Sequence, residues 1–312
     1  MKLPLIVILG PTASGKTAYA IELAKLINGE IICADSRTVY RDMNIGTAKP
    51  TVAEMKGIPH WGLDLVKPNT KFTLYDYQQY AYGKIAEIRA RGHVPMLVGG
   101  SGLYIDAVIY HYQLNTKIIN SPSRDELEVM SLDELRSYSI SHSIELPRDI
   151  QNKRRLIRAI EQGGINHQSK ELDDNTIVIG IKTDRNILRG RIEKRARQMI
   201  DSGLINEVKG LVAKYGDQEP FRNNLYGVTK RYINGELTLE QYIDAMVAVD
   251  WHLVRKQLTW WRNPRRSGDI VWRTLPELMT QLEQYKAMVA NAGTDEVLAN
   301  LANEYKNVIS NR

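Results

Sequence analysis

The sequence contains a single cysteine, Cys33, among its 312 residues. One thiol can form neither an internal disulfide nor a cysteine-based zinc site, which fits the reducing cytoplasm where we expect the protein to act. No stretch of about 18 consecutive apolar residues occurs, so the sequence predicts no membrane-spanning helix. The N-terminal segment MKLPLIVILG lacks the small-residue cleavage site of a signal peptide, and we expect it to form the first strand.

The composition is that of a folded, mildly basic protein. Hydrophobic residues make up 43% of the chain, which is enough for a large core or for two unequal lobes. The formal net charge is +6. This excess alone favours a polyanionic partner only weakly, because many enzymes are this basic. The positions of the basic residues therefore matter more than their number.

The segment GPTASGKT matches the phosphate-binding pattern G-x-x-x-x-G-K-[ST] through Gly10, Gly15, Lys16 and Thr17. The apolar run LIVIL precedes it, and TAYAIELAKLI follows with apolar residues at helical spacing. In such a strand–loop–helix unit the backbone N–H groups face phosphate oxygens, Lys16 adds a positive charge, and Thr17 can ligate Mg²⁺. An accidental glycine turn is the alternative, but the flanking strand and helix favour a phosphate site.

The order of apolar segments predicts an α/β fold. Residues 1–110 alternate between short buried strands and helices, which is typical of a parallel sheet with helices on its faces. Residues 111–147 break into short polar helical pieces, and we expect an inserted helical lobe there. Residues 148–275 are expected to hold the rest of the core, including the strand TIVIGIK, and further helices. Residues 276–312 are expected to form a helical tail.

The segment EIICADSRTVY places Asp35 and Ser36 just after a buried strand. Ligands of open parallel sheets lie outside the carboxyl ends of the strands, so we expect Asp35 near the phosphate loop. From the residues alone three roles stay open for Asp35. It could help to hold Mg²⁺, act as a general base towards an acceptor substrate, or only form a turn or a helix cap.

The usual partners of nucleotide hydrolysis are not recognisable. The third predicted strand, VPMLVGGSG, ends in glycines and not in the acidic residue that typical ATPases carry, and no N-K-x-D motif for guanine occurs. An arginine-rich lid helix is not obvious either. These absences disfavour a motor protein or a GTPase. They leave a kinase-like transferase or a protein that binds the diphosphate of a substrate other than a nucleotide.

Two segments of the second half combine positive charge with a helical pattern. NKRRLIRAIE places Arg155 and Arg158 on roughly one helix face, and RKQLTWWRNPRR interleaves cations with tryptophans. Such charges can neutralise phosphates, and the rings can stack on unpaired bases, which favours single-stranded RNA. The alternative is a solvated face with core tryptophans. Trp260 and Trp261 cannot both face the same way, so we expect at least one in the core.

Taken together, the motifs resemble those of the bacterial tRNA dimethylallyltransferases, also called tRNA isopentenyltransferases. The family's order and spacing are matched by GPTASGKT, ADSRTVY, NIGTAKP, PHWGLDLV, LVGGSGLY, KRRLIRAIE, DRNILRGRIEKRARQMIDSGLINEV and KQLTWWR. These motifs extend over roughly residues 3 to 265. GTAKP and GGSGLY, beside this phosphate loop, are much more specific than the loop itself.

The resemblance implies transfer of a dimethylallyl group from dimethylallyl diphosphate to N6 of the adenosine 3′ of the anticodon in tRNA, with release of diphosphate. No water then attacks a γ-phosphate, which explains the missing hydrolysis partners. By resemblance Asp35 orients the adenine amine and accepts its proton, with Thr12 and Ser101 near the reacting centre. Lys16, the loop amides and Mg²⁺ on Thr17 neutralise the leaving diphosphate.

The resemblance implies the following sites and partners. The catalytic residues are Asp35, Lys16, Thr12 and Ser101. The diphosphate-binding residues are Gly10, Pro11, Thr12, Ala13, Ser14, Gly15, Lys16, Thr17 and Arg155. The tRNA-binding residues are Asp35, Ser36, Arg37, Thr38, Ser101, Arg155, Arg158, Tyr226, Lys256, Gln257, Thr259, Trp260 and Arg262. The cofactor is Mg²⁺ on Thr17, and the partner is the anticodon loop of tRNA. A monomer without membrane association is expected.

Some positions depart from the family pattern. Thr38 stands where D-S-x-Q-x-Y has glutamine, and Ser101 replaces the usual threonine of GGTGLY while keeping a hydroxyl. Asn152 precedes the arginine helix where an aspartate is common, and Gly227 follows Tyr226 where a cation is usual. These changes concern the recognition of the tRNA loop and leave the reaction class unaffected.

Three other functions compete with this interpretation. A related prenyltransferase would act on free adenine nucleotides, but the basic, aromatic second half favours a macromolecular acceptor. A small-molecule kinase would bind ATP and ignore dimethylallyl diphosphate. A non-catalytic RNA-binding protein would retain a vestigial loop, against which the intact Lys16, Thr17 and Asp35 argue.

Overall fold

A computed structural model describes residues 3–114, 122–147, 149–163, 171–173, 175–222 and 224–311. The chain divides into two compact units. Unit 1 consists of Met1–Ile109 and Leu172–Arg312, and unit 2 consists of Tyr110–Glu171.

Unit 1 is built on a six-stranded sheet in which every strand pair is parallel. The strands are β1 (Leu5–Leu9), β2 (Gly29–Ala34), β3 (His60–Trp61), β4 (Val94–Gly99), β5 (Thr176–Lys182) and β6 (Val271–Thr274). Their order across the sheet is β3-β2-β4-β1-β5-β6. β1 lies between β4 and β5, with Val7 level with Leu97 on one side and Val178 on the other.

Helices flank this sheet and complete unit 1. They are α1 (Lys16–Ile27), α2 (Val52–Met55), α3 (Leu74–Ala90), α4 (Gly102–Ile109), α8 (Arg185–Asp201), α9 (Leu204–Tyr215), α10 (Leu225–Ile233), α11 (Leu239–Trp261), α12 (Pro264–Ser267), α13 (Leu275–Ala292) and α14 (Thr294–Ser310), with a short 3₁₀ turn at Glu219–Phe221. Capping boxes fix the starts of several helices. In α11, for example, the Thr238 hydroxyl accepts from the Gln241 N–H while the Gln241 side chain accepts from the Thr238 N–H.

The main core lies between the sheet and helices α1, α13 and α14. All five residues of β1 are buried, as expected for a central strand of a parallel sheet. The C-terminal helices contribute apolar side chains to the same cluster, among them Leu278, Leu282, Tyr285, Val297, Leu298 and Leu301. The predicted helical tail is therefore part of the core of unit 1.

Unit 2 contains α5 (Arg124–Val129), α6 (Leu132–Ser141) and α7 (Lys153–Gln162). A small core of its own joins these helices, with Leu127, Leu135, Leu156, Ile157 and Ile160 at its centre. Because α7 packs into this core, unit 2 extends to Glu171. The sequence predicted that the inserted lobe would end at residue 147.

The predicted fold class is confirmed in its main elements. The strands LIVIL and TIVIGIK and the helix that follows the phosphate loop form as expected, and Gly203, Gly216 and Gly235 separate helices in the second half. The short strands β3 and β6 were not predicted. None of the helices in the described ranges is long and apolar enough to cross a membrane.

Candidate active site

The phosphate loop (residues 10–17) connects the carboxyl end of β1 to the first turn of α1. Ala13 and Gly15 have φ angles of 63° and 92°, and these left-handed conformations turn the chain into the helix. Gly15 is the N-cap of α1 and provides no side-chain cap for the first-turn amides. The positive end of this helix therefore faces the loop without a carboxylate or hydroxyl cap, as an anion site requires.

Ser14 shows that the loop fits a phosphate group. Its hydroxyl is buried and has no hydrogen-bond partner among the described residues. A Cβ atom on Gly10 would lie 2.8 Å from this oxygen, so the close approach requires glycine. A buried hydroxyl without a partner costs free energy, and a phosphate oxygen would supply the missing bond.

Lys16 lies at the start of α1, and its ammonium group donates to the carbonyl of Pro11 at 3.3 Å. The pKa of Lys16 is lowered to about 8, chiefly by burial; the negative charge of Asp35 opposes this effect and the positive charge of Arg195 adds to it. A cation in such surroundings gains most from an incoming anion. Lys16 is therefore suited to bind phosphate oxygens.

Asp35 and Ser101 follow neighbouring strands, since β2 pairs with β4 in the sheet. The N–H of Arg37 donates to Asp35 Oδ1 at 2.8 Å, and the N–H of Ser36 donates to Ser101 Oγ at 3.0 Å. The N–H of Ser101 donates in turn to the carbonyl of Ala34 at 3.1 Å. These bonds position the carboxylate and the hydroxyl at the carboxyl edge of the sheet.

A cavity of about 540 Å³ opens at this edge. This volume lies within the range of pockets that enclose small-molecule ligands. The polar part of its wall consists of Thr12, Lys16, Asp35, Ser36, Arg37, Thr47, Ser101, Arg195, Asn224, Asp250, His252, Lys256 and Gln257. The apolar part includes Met199, Leu225, Tyr226, Ala248, Val249 and Leu253. All of these residues belong to unit 1, and they join the phosphate loop and Asp35 in one site.

Arg195 is a cation of this site to which the sequence analysis gave no role. It lies on α8, and one guanidinium nitrogen donates to Thr12 Oγ1 at 2.7 Å while another donates to Asp250 on α11. The segment RIEKRARQMI contains four basic side chains within one helix. Two of these four side chains, Arg191 and Arg195, donate to the loop, and their spacing in the sequence alone does not show which side of the helix faces it.

Glu207 is a second residue that the sequence did not reveal. Its carboxylate accepts from the N–H groups of Asn44, Ile45 and Gly46 at 3.0, 2.8 and 3.1 Å, and from the Tyr226 hydroxyl at 2.8 Å. Burial raises the pKa of Tyr226, and the neighbouring Glu207 charge adds to this, so the hydroxyl remains a donor. Together these bonds hold the 44–48 loop, whose residues line the cavity.

Tyr226 therefore has structural contacts of its own. The residue is 2% exposed, and a Cβ atom on Gly46 would lie 2.7 Å from Cζ of its ring. Its hydroxyl is occupied by Glu207. The predicted contact of Tyr226 with tRNA is thus confined to the part of the ring that reaches the cavity wall.

Helix α11 places two of the predicted tRNA-binding residues, Lys256 and Gln257, at the cavity, and their surroundings differ. Lys256 is exposed at the cavity, whereas Gln257 is 7% exposed and bonded to the protein itself. Gln257 Oε1 accepts from the Thr12 N–H at 2.8 Å, and Nε2 donates to the Gly100 carbonyl at 3.0 Å.

Other predicted residues lie outside the cavity wall, namely Thr38, Thr259, Trp260 and Arg262. Thr38 is buried, and its hydroxyl donates to the Asp35 carbonyl at 3.4 Å. Thr259 and Arg262 are exposed. Trp260 is half-buried against Gly102, and its indole N–H donates to Asp106 at 2.9 Å.

The guanidinium group of Arg266 also lies over the Trp260 ring, 4.6 Å from its centroid. Trp260 is thus engaged by protein groups on its edge and on one face. The sequence predicted that at least one of the two tryptophans lies in the core, and Trp261, which is 1% exposed, does so.

Arg155 and Arg158 lie on α7 and belong to unit 2. Their side chains are largely exposed and form ion pairs with Asp149 at 3.7 Å and Glu161 at 3.6 Å. Exposed pairs of this kind contribute little to stability, so both arginines can exchange these partners for phosphates.

The donor atoms near the phosphate loop fit a magnesium ion that is held mainly by its substrate. No group of three or more His, Cys, Asp or Glu side chains suited to a metal occurs in the described residues. Thr17 is exposed at the start of α1, directly after Lys16. Mg²⁺ commonly takes one or two protein oxygens together with substrate phosphates and water, and the Thr17 hydroxyl suits such a site.

Comparisons with protein families agree with this geometry. A family model described as IPP transferase matches residues 38–264, and one described as isopentenyl transferase matches residues 3–68. The tRNA dimethylallyltransferase of Staphylococcus haemolyticus is 38% identical over 278 residues, which is 83% of this chain and 84% of that protein. The tRNA dimethylallyltransferase of Bacillus subtilis is 36% identical over 278 residues, which is 84% of this chain and 88% of that protein.

Solved structures of transferases are also similar to this chain. The full-length tRNA isopentenylpyrophosphate transferase of Bacillus halodurans is similar with a TM-score of 0.70 and 32% identity, covering 99% of both chains. A eukaryotic dimethylallyltransferase, solved in snapshots of its action on tRNA, has a TM-score of 0.74 at 22% identity. This second match covers 96% of this chain and 80% of that chain, and it supports the fold alone.

Proposed function

The chain belongs to the IPP transferase family, and on that premise we propose that it transfers the dimethylallyl group of dimethylallyl diphosphate to N6 of the adenosine 3′ of the anticodon in tRNA. Diphosphate is the second product. One observation carries this proposal for the site: a single cavity contains Lys16 of the phosphate loop together with Asp35 and Ser101. A leaving-group site thus adjoins a carboxylate base.

The donor half of the site binds the diphosphate. Lys16, Arg195 and the first-turn amides of α1 neutralise the negative charge that grows on diphosphate as its bond to the dimethylallyl carbon breaks. The buried Ser14 hydroxyl, which lacks a partner among the described residues, donates to a phosphate oxygen. These groups are fixed before the reaction, so little reorganisation is required during it.

Magnesium belongs to this half of the site. The Thr17 hydroxyl and the substrate's diphosphate oxygens would hold it. When bound, the ion neutralises negative charge on the leaving group.

The acceptor half of the site activates a weak nucleophile. The lone pair of an exocyclic adenine amine is delocalised into the ring, so its attack needs a base in position. Asp35 accepts the N6 proton as the new bond between N6 and the first carbon of the dimethylallyl group forms. The electron pair of the broken C–O bond leaves with the diphosphate, which balances the reaction.

The acceptor is a macromolecule in this proposal. Arg37 and Lys256 at the cavity, Thr259 and Arg262 on the exposed side of α11, and Arg155 and Arg158 of unit 2 contact the anticodon arm. The target adenosine leaves its stack to enter the cavity, which costs a few kcal/mol and costs less in a single-stranded loop. We further propose that the enzyme acts as a monomer in the cytoplasm, where its substrate occurs.

The experiment combines protein, Mg²⁺, dimethylallyl diphosphate and an unmodified tRNA whose anticodon loop carries consecutive adenosines. Nucleoside mass spectrometry is expected to detect isopentenyladenosine. The matched control is Asp35→Asn, which keeps the oxygen that accepts from the Arg37 N–H but cannot take a proton. We expect its single-turnover rate to fall by about 10²- to 10⁴-fold at nearly unchanged tRNA affinity.

Other outcomes identify the competing functions. Faster prenylation of AMP than of tRNA would identify an enzyme for free nucleotides. Consumption of ATP with a small-molecule acceptor, without any response to dimethylallyl diphosphate, would identify a kinase. An unchanged single-turnover rate in Asp35→Asn would remove Asp35 from the role of base while leaving the overall reaction intact.

A further inference from the structure

The buried face of α11 contains two polar residues. Its buried positions are Tyr242, Met246, Asp250, Val254, Gln257 and Trp261, which follow one another at helical spacing. Asp250 and Gln257 are 6% and 7% exposed. Buried polar side chains cost free energy unless they are bonded, so their bonds indicate what these positions are for.

Hydrogen bonds connect both side chains to Thr12 of the phosphate loop, one directly and the other through Arg195. Gln257 accepts directly from the Thr12 N–H at 2.8 Å. Asp250 accepts from Arg195, which donates to the Thr12 hydroxyl oxygen at 2.7 Å. Arg191 of the same α8 helix donates to the Ala13 carbonyl at 3.0 Å. The loop is thus held from outside by α8 and α11 in addition to its own turn.

The second end of the Gln257 amide reaches the acceptor side of the site. Nε2 donates to the carbonyl of Gly100, at the end of β4, at 3.0 Å. A Cβ atom on Gly100 would lie only 2.4 Å from this nitrogen, so the approach is possible because residue 100 is glycine. Ser101 follows directly and accepts from the N–H of Ser36, the neighbour of Asp35.

One side chain therefore joins the leaving-group loop to the strand end that adjoins the base. We infer that Gln257 is a positioning residue, which sets the distance between the diphosphate loop and Asp35 through its bonds to Thr12 and Gly100. This inference rests on the proposed function and assigns Gln257 a role other than the tRNA contact expected from the sequence. Because it acts through backbone groups of other residues, Gln257 is not itself catalytic.

The geometry requires an amide at this position. One end must accept from an N–H, and the other must donate to a carbonyl. Glutamate has the same shape, but its ionised form sets an oxygen against the Gly100 carbonyl and repels it. Protonated glutamate regains a donor. The variant Gln257→Glu therefore changes one hydrogen bond in a manner that pH can reverse.

The test measures single-turnover prenylation of tRNA with both substrates saturating, from pH 5.5 to 8. At pH 8 we expect Gln257→Glu to be about 10²-fold slower than the wild type, because a small misplacement of reacting groups has effects of this size. The ratio of the variant rate to the wild-type rate should rise as the pH falls.

Two further variants complete the test. Gln257→Leu keeps most of the volume without either bond, and its rate ratio is expected to be low and independent of pH. Gln79→Glu makes the same change at an exposed position of α3, and its rate should match the wild type. Circular dichroism at the assay temperature establishes that each variant is folded.

Two results would overturn the inference. One is an unchanged saturating rate in both Gln257 variants. The other is a loss confined to tRNA affinity, which would identify Gln257 as a tRNA contact. If the wild type forms no product, the proposed function fails, and calorimetry with inorganic diphosphate still tests whether Gln257 positions the phosphate loop. Equal affinity of the wild type and Gln257→Glu for diphosphate at pH 8 would then refute it.

Discussion

The charge of Lys16 depends on its surroundings in the site. Burial holds its pKa near 8, well below the usual value for lysine. An incoming diphosphate favours the charged form and raises this pKa, so binding above pH 8 takes up a proton. Deprotonation of the free protein competes with binding. Affinity therefore falls as the pH rises through about 8.

We expect the affinity for inorganic diphosphate to fall by up to about tenfold per pH unit above pH 8. Calorimetry from pH 7 to 9.5, in two buffers of different ionisation enthalpy, measures the affinity and counts the protons taken up. Lys16→Arg stays charged in this range and is the control, since the titration of diphosphate itself is common to both proteins. A wild-type profile parallel to that of Lys16→Arg would contradict the prediction.

At the scale of single residues, the sequence predicted the functional side chains that belong to a local sequence motif. The phosphate loop and Asp35 are recognisable because a strand end and a short motif determine their surroundings. Arg195, Asp250 and Glu207 are not, because their partners lie far away in the chain. The Arg195 bond to Thr12, for example, spans 183 residues, and only the packing of α8 against α11 and the loop creates it.

Among the elements, the 44–48 loop is connected to α9 by one carboxylate, that of Glu207, which accepts from three of its backbone N–H groups. Glu207→Gln keeps one oxygen and replaces the other with an NH₂ group that cannot accept from a backbone N–H. We expect this loop to loosen and kcat/KM for tRNA to fall about tenfold, since a partly buried N–H that loses its acceptor costs about 1 kcal/mol. Hydrogen exchange of residues 43–48 measures the opening directly.

The control for this variant is Glu296→Gln on the exposed surface of α14, which should leave both measurements unchanged. Equal exchange rates in the wild type and Glu207→Gln would show that the loop is held by other contacts.

None of the residues that line the candidate active-site cavity belongs to the C-terminal helices α13 and α14, yet these helices are part of the main core. Leu282 of α13 is 1% exposed, whereas Met279 of the same helix is 38% exposed. We expect Leu282→Ala to lower the free energy of unfolding by about 2–5 kcal/mol, because it removes buried methyl groups and leaves a cavity. Met279→Ala should change it by less than about 1 kcal/mol.

Urea denaturation measures both changes, and the single-turnover rate of folded Leu282→Ala should stay within about twofold of the wild type. A small effect of Leu282→Ala on unfolding would mean that α13 adds little to the core.

The sequence predicted elements well where they are long and strongly patterned. β1 and β5 are continuous apolar runs, and both were identified. β3 and β6 span two and four residues, which is too short for a periodic pattern of apolar residues to be recognised. Both are edge strands, defined by their pairing with β2 and β5. The amphipathic pattern of the tail indicated helices, but it could not reveal which surface they cover.

For the molecule as a whole, the positive charge matters through its distribution. Arg262 is exposed at the end of α11 and is proposed to contact a tRNA phosphate. We expect Arg262→Ala to weaken tRNA binding and to reduce the slope of log K against log salt by about 1. Filter binding over a range of potassium chloride concentrations measures this slope.

Lys286→Ala, on α13, removes a charge of the same sign from another exposed surface and should leave the slope unchanged. A fall in turnover with an unaltered slope in Arg262→Ala would exclude a phosphate contact.

The position of β5 in the chain has a consequence for biosynthesis. β1 leaves the ribosome before the other strands of this sheet, but one of its two neighbours, β5, is made only after the whole of unit 2. Until β5 is made, the nascent chain therefore carries an unfinished sheet in which one side of β1 is unpaired. Exposed strand edges of this kind associate readily with other chains. We expect the protein to need chaperone protection most during this interval of translation.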